Sequence, residues 1–264
     1  MKLGFVGCGN MAKAILGGVL KDGMVAKEDV MVSAAHAATV EKAAAEFGVK
    51  TTLHNAEVAE FADVVVLAVK PIYYEEVIAE ITDKVTEDKL FISIAPGKTM
   101  QWLGERLGAG KKIVRTMPNT PALVGEGMTA VCYNDNVTDA DKETVMAILT
   151  SFGKAEEVKE YMIDAVVAVS GSSPAYVYMF IEAMADAAVA EGLPRTSAYE
   201  FAAQAVYGSA KMVLETGLHP GVLKDQVCSP GGTTIKAVEV LEKEGMRSAV
   251  MEAMTACADK SRNM

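Results

Sequence analysis

The chain has 264 residues, of which 51% are apolar, and a formal net charge of −10. That length fits two domains or one large one, and the apolar fraction excludes a disordered chain. The acidic balance argues against nucleic acid or an anionic membrane surface as partner, so any anionic ligand must be attracted locally rather than by the whole molecule.

The first element is a strand pattern, Lys2–Val6, which runs into Gly7-Cys8-Gly9-Asn10-Met11-Ala12 and then a helical pattern over Met11–Leu20. The apolar run at this end is too short for a signal peptide, and a cytoplasmic location is expected. GxGxxA between strand and helix is a dinucleotide-binding fingerprint. Gly7 permits the tight turn, Gly9 lets the backbone approach a pyrophosphate, and Ala12 keeps the helix against the sheet. Asn10 and Met11 begin the helix end that faces the phosphates.

The second strand, Val30–Ser33, is followed by Ala34-Ala35-His36 and a helix over Thr39–Phe47. An NAD site places an acid at this strand end to bind the ribose hydroxyls. None occurs between Asp29 and Glu41, and there is no Arg either. Ser33, His36 and Thr39 are the available donors, an arrangement that favours NADP(H) and leaves NAD(H) possible; an ordinary surface loop is the alternative for Ser33 and His36.

Val64–Val69 (VVVLAV) is apolar throughout, as a strand covered on both faces should be, and spans only about a third of a bilayer. No membrane segment is expected. Asn55 precedes this strand and is placed to reach the adenosine side. The strand ends at Ala68-Val69-Lys70-Pro71, and the next one, Phe91–Ile94, at Ala95-Pro96-Gly97. Both segments fall where strand C-termini line a cofactor crevice, and plain strand-end turns are the alternative for them and for Asn55. Strands at Ile113–Thr116, Thr129–Cys132 and near Glu156–Val158, and a helix at Asp139–Ser151, complete this half. Strands interleaved with helices predict an α/β fold with a parallel sheet, here an N-terminal Rossmann-type dinucleotide-binding domain over residues 1–160.

After Met162 the β signals stop, and residues 161–264 read as an all-α domain. Helical runs end at Gly192 and Gly217, and two more lie over Thr233–Gly245 and Met246–Ser261. The stretch Ala175–Ala190 is apolar or aromatic on nearly every side. Such a helix is buried all round, and about a hundred residues can hardly surround it alone. Packing against a second copy is expected, making this a dimerisation domain; a central helix in a monomer is the alternative.

Before the Thr233 helix stands Ser229-Pro230-Gly231-Gly232-Thr233-Thr234. Two glycines, hydroxyls and an open helix end can converge on a small carboxylate. The same residues also make an ordinary loop and N-cap. The four cysteines, Cys8, Cys132, Cys228 and Cys257, form no CxxC pair and have no His at ligand spacing, so neither a disulfide nor a metal site is expected.

The run HPGVLKDQVCSPGGTTIKAVEVLE (219–242) resembles the signature of the Δ1-pyrroline-5-carboxylate reductase family. RTMPNTPALVGEG (115–127), SGSSPAY (170–176), GCGNMA (7–12) and VKP (69–71) are similar to further family motifs, in the same order over essentially the whole chain. Ser172-Ser173 departs from the pattern, which in many members has Gly at the second of these positions. The resemblance implies the last step of proline synthesis, in which a reduced nicotinamide gives hydride to C5 of a cyclic imine. It implies a homodimer or larger homo-oligomer, with the active site where the two domains meet. It assigns the substrate carboxylate to Ser229, Gly231, Gly232 and Thr233, and the ring nitrogen to the catalytic Thr234. Pro174 and Ala175 wall the ring, and Met117-Pro118-Asn119 line the nicotinamide side. A protonated imine is already electrophilic and needs no metal, so alignment carries most of the rate. The β-hydroxyacid dehydrogenases also join a Rossmann domain to helices but need a helical Lys, and Ser170–Glu191 has none. A non-catalytic NADP sensor would leave SPGGTT and RTMPNTP unexplained.

Overall fold

The computed structural model describes residues 1–264. Its sheet has eight strands: β1 (Leu3–Val6), β2 (Val30–Ser33), β3 (Lys50–Thr52), β4 (Val64–Leu67), β5 (Leu90–Ser93), β6 (Lys112–Met117), β7 (Gly127–Tyr133) and β8 (Gly153–Glu157). Their order is β3-β2-β1-β4-β5-β6-β7-β8. β1 to β6 are parallel, β7 runs antiparallel to β6, and β8 is parallel to β7. The chain winds outward from β1 in one direction and then from β4 in the other, so the order reverses between β1 and β4. A crevice opens at the carboxyl ends of strands at such a point.

Alternate residues along the strands feed two cores. Leu3, Phe5, Val64, Val66, Leu90 and Ile92 pack on the face covered by α1 (Asn10–Lys21), through Ile15, Leu16 and Val19, and by α6 (Asp139–Thr150), through Val145, Ile148 and Leu149. Val6, Val65, Leu67, Phe91 and Ile113 point the other way. They meet α3 (Asn55–Phe61) and α4 (Tyr74–Ile81) at Val58, Val77 and Ile78, and α5 (Met100–Leu107) at Leu103. β4 therefore has no polar position because neither of its faces meets water. Beside it, α2 (Ala37–Phe47) follows β2 and ends at Gly48 in the left-handed conformation.

The compact units divide later than the change of periodicity at residue 160. One comprises Met1–Ser172 with Cys257–Met264, the other Ser173–Ala256. Residues 160–172 stay with the sheet for identifiable reasons. Glu160 pairs with the buried Arg115 at 2.8 Å and accepts from the Met100 amide at 2.7 Å. Ile163, in α7 (Ile163–Val166), and Val167 pack on Ala130 and Cys132, with Cys257 against them. Ser261 donates to Asp164 at 2.6 Å, which holds the last residues to this unit.

The second unit is helical: α8 (Ser173–Ala190), α9 (Arg195–Thr216), α10 (Pro220–Val227), α11 (Thr233–Lys243) and most of α12 (Met246–Arg262). In α8 and α9 only Ala185, Ala198 and Ala202 are buried, while Tyr178, Met179, Phe180 and Phe201 are exposed. Within its own unit α8 is therefore not a buried central helix. No helix is long and apolar enough to cross a membrane.

Candidate active site

At the end of β1 the chain turns on Gly7, whose φ of +101° is a conformation open to glycine. A Cβ there would meet the Ala68 carbonyl oxygen at 2.7 Å. The Gly7 amide donates to the Ser33 carbonyl at 3.1 Å and the Ala68 amide to Val6 at 2.8 Å, which fastens the turn between β2 and β4. Gly9 differs: its φ is −80°, and an added Cβ would meet nothing within 4 Å. The protein itself has no need of glycine at this position. Gly9 is also the N-cap of α1, which has no side-chain cap and no acid in its first turn. The first amides of α1, with Asn10 and Met11, are left for an external acceptor. A diphosphate fits both features, since it needs close backbone approach and unpaired donors. Cys8, between the glycines, has its thiol pushed up by burial and by Glu46, against the pull of Lys13.

A cleft of about 660 Å³ extends from this turn. Of the expected cofactor residues it is lined by Gly7, Gly9, His36, Asn55, Ala68, Val69 and Lys70, joined by Thr39. Asn10, Met11 and Pro71 adjoin it in the chain without lining it. Ser33 requires a correction. It is 0% exposed, so it cannot be a surface donor, and its Oγ donates to Asn55 Oδ1 at 2.7 Å. The Asn55 Nδ2 in turn donates to Glu80 Oε2 at 2.6 Å. Glu80 and Glu76, both on α4, also line the cleft, as do Leu53 and Tyr73. Sequence reading misses all four because they follow β3 and β4, far from the fingerprint, and acids four apart on a helix look like a solvated face.

Further along the strand ends, Ala95 is buried after β5 and Met117, the last residue of β6, is half-buried. Tyr74 ties β4 to β5 here, donating to the Leu67 carbonyl at 2.6 Å and accepting from Ser93 at 3.2 Å. Burial pushes its phenol far up, against the hydrogen bonds from Ser93 and the backbone of Ile94 and Ala95. The Asn119 amide makes three hydrogen bonds within the protein. Nδ2 donates to the Ser170 carbonyl at 3.2 Å and hydroxyl at 3.1 Å, and Oδ1 accepts from the Met128 amide at 2.8 Å. Ser170 lies in a π-helical turn, Val167–Gly171, closed by the Ser172 amide on the Val167 carbonyl at 2.8 Å. Asn119 thus braces this turn.

In the helical unit Pro174 and Ala175 stand in the first turn of α8, where Pro costs no helical hydrogen bond. Between α10 and α11, Ser229 to Gly232 form a β-turn in which the Gly232 amide donates to the Ser229 carbonyl at 3.0 Å. Pro230 and a Gly231 with φ of +68° occupy the positions a type II turn asks for. Gly232 then caps α11 without a side chain, and no acid lies in the first turn. Ser229, Thr233 and Thr234 lie within five residues of one another around this bare helix end. The turn gathers Ser229, Gly231, Gly232, Thr233 and Thr234 into one donor-rich loop.

A glycine turn at the switch point of a parallel sheet, followed by a helical unit, defines a Rossmann-type nicotinamide-dinucleotide oxidoreductase, and a family model described as NADP oxidoreductase, coenzyme F420-dependent, matches residues 2–97. A second model, pyrroline-5-carboxylate reductase dimerisation, matches residues 160–264. The pyrroline-5-carboxylate reductase of Escherichia coli (strain K12) is 55% identical over 266 residues, covering 100% of this chain and 98% of that protein. The chain belongs to the pyrroline-5-carboxylate reductase family, NAD(P)-dependent oxidoreductases of proline biosynthesis. The homologue of Methanosarcina acetivorans is 40% identical, with coverage of 100% and 97%. The crystal structure of the Plasmodium falciparum pyrroline carboxylate reductase with NADP bound matches at a TM-score of 0.91 and 37% identity, covering 100% of this chain and 97% of that one. A ketol-acid reductoisomerase from an uncultured archaean, at 16% identity and a TM-score of 0.65, shares the fold.

Proposed function

We propose that the chain reduces pyrroline-5-carboxylate to L-proline with a reduced nicotinamide dinucleotide, as the last step of proline biosynthesis. Beyond family membership, the observation that carries this reading is the Ser229–Thr234 turn ahead of an uncapped helix. A carboxylate there takes the main-chain amides at Gly231 and Thr233 and the Ser229 hydroxyl, while the Gly232 amide closes the turn on Ser229. Two or three charge-assisted bonds, about 1.5–3 kcal/mol each, hold a small acid without a dedicated Arg. That answers locally the problem set by a net charge of −10.

Thr234 offers a neutral hydroxyl to orient the ring nitrogen, and Pro174 with Ala175 form the apolar wall. The amides of Gly9, Asn10 and Met11 receive the pyrophosphate, and Ala95 and Met117 pack along the nicotinamide. The reduced nicotinamide, when bound, supplies the hydride. His36, Thr39 and Lys70, which all line the cleft, provide donors and charge for a 2′-phosphate, which supports NADPH as the preferred cofactor. The working unit is a homodimer or larger, supported by the dimerisation model and the exposed apolar face of α8. Four free thiols suit a reducing, cytoplasmic setting.

Turnover of pyrroline-5-carboxylate, followed by oxidation of NADPH and NADH in parallel, tests the reading. Saturable turnover with either cofactor is expected, and binding without turnover overturns it. Thr234→Ala is expected to lower kcat/KM about 10–1000-fold, the range of a lost positioning or proton-transfer contact. Unchanged kinetics would remove Thr234 from the mechanism.

A further inference from the structure

The cofactor cleft contains a physical conflict. It is built to take a polyanion, yet it is lined by two carboxylates, Glu76 and Glu80. Glu80 does not simply wave in solvent. Its Oε2 accepts from Asn55 Nδ2 at 2.6 Å, and Asn55 Oδ1 accepts from the buried Ser33 hydroxyl at 2.7 Å. A carboxylate only accepts, so the amide nitrogen must face Glu80 and the amide oxygen must face Ser33. The chain of contacts has one orientation.

Ser33 is the last residue of β2. The end of that strand is where dinucleotide-binding folds place the acid that reads the ribose 2′ position, and here no acid follows it in sequence. The relay Ser33–Asn55–Glu80 brings one from α4 instead. A carboxylate beside the 2′ position accepts from a ribose hydroxyl and repels a 2′-phosphate.

We infer that Glu80, held through Asn55, is a specificity-determining residue of the cofactor cleft, favouring a 2′-hydroxyl and limiting the preference for a 2′-phosphate. The inference rests on the cofactor reading proposed above. It sets two opposed influences in one cleft: His36, Thr39 and Lys70 for the phosphate, Glu80 against it.

The test is Glu80→Gln in the full-length protein, with the dissociation constants of NADP⁺ and NAD⁺ measured by calorimetry. The amide keeps the shape and removes the charge. The ratio of NAD⁺ to NADP⁺ dissociation constants is expected to rise about tenfold, the scale of one screened charge interaction near a surface. Raising the salt concentration should shrink the gap between wild type and variant. Glu76→Gln, which removes a cleft charge that Asn55 does not hold, is expected to move the ratio less. An unchanged ratio in Glu80→Gln, or equal shifts in the two variants, would overturn the assignment. Glu80 is exposed, so the fold should survive, and an unchanged melting temperature verifies this. If the ratio shifts while wild type fails to reduce pyrroline-5-carboxylate, the functional reading falls alone. If turnover is normal and the ratio stays put, the Glu80 assignment falls alone.

Discussion

Gly7 and Gly9 belong to one motif and are glycines for different reasons. Gly7 serves the fold, because its backbone is left-handed and its α-carbon lies against the Ala68 carbonyl. Gly9 has ordinary backbone angles and open space around it, so no contact within the protein requires glycine there. Gly7→Ala is expected to cost about 1–3 kcal/mol of stability from strain, before any clash is counted. Gly9→Ala exchanges a good N-cap for a poor one and should cost about 0.5–1 kcal/mol, while weakening NADP⁺ binding at least about tenfold. Thermal melts and calorimetry on the two variants separate the roles; a Gly9 variant that binds normally would remove the phosphate from that turn. This difference is invisible in the letters GCGNMA, which specify the motif but not which glycine the protein itself requires. Ser33 shows the same limit. Its position at a strand end was legible, but its burial depends on neighbours from β1 and α3 that a local reading does not bring together.

Elements with a strong apolar period were legible, and those held by context were not. β4 reads plainly because it is apolar on both faces. β3 has three residues, Lys50-Thr51-Thr52, none of them apolar, and is a strand only because β2 offers it an edge. The antiparallel return of β7 was equally hidden, since strand direction is set by the loop from 118 to 126 and not by composition. α6, by contrast, announces its start. Thr138 accepts from the Asp141 amide at 3.3 Å, and Asp141 accepts from the Thr138 amide at 2.9 Å, a reciprocal box. Partial burial pushes the Asp141 carboxyl up, but bonds from Lys112 and Thr138 outweigh it and hold the group below the usual range. A depressed folded value means the stabilisation is present above the unfolded value of about 3.9 and is lost as pH falls through the folded one. Asp141→Asn should therefore cost about 1 kcal/mol near neutrality. The gap to wild type should close on acidification, when both side chains are neutral. Melting temperatures of the pair across that range check it, and a gap independent of pH would assign the effect to packing instead.

For the whole molecule, the helical unit sets the strongest constraint. Tyr178 is 59% exposed, Met179 69% and Phe201 70%, on helices whose buried residues are alanines. Alanines let α8 and α9 approach closely, which leaves the large side chains facing away from this chain. A surface of that kind marks an interaction site. The family model for dimerisation spans this region, so the cover we expect is a second copy placed about a twofold axis. A symmetric interface makes each side chain count twice, so one buried charge per chain puts two into the contact. Met179→Glu is expected to convert the assembly to a species near the chain mass of 27.9 kDa. Light scattering coupled to size exclusion measures this directly, with circular dichroism to verify that the helices remain. The sheet unit has its own core, so cofactor binding should persist in the variant while turnover falls. A wild-type protein that already runs at the mass of one chain would end this account of α8, and the aromatic face would then need a different partner.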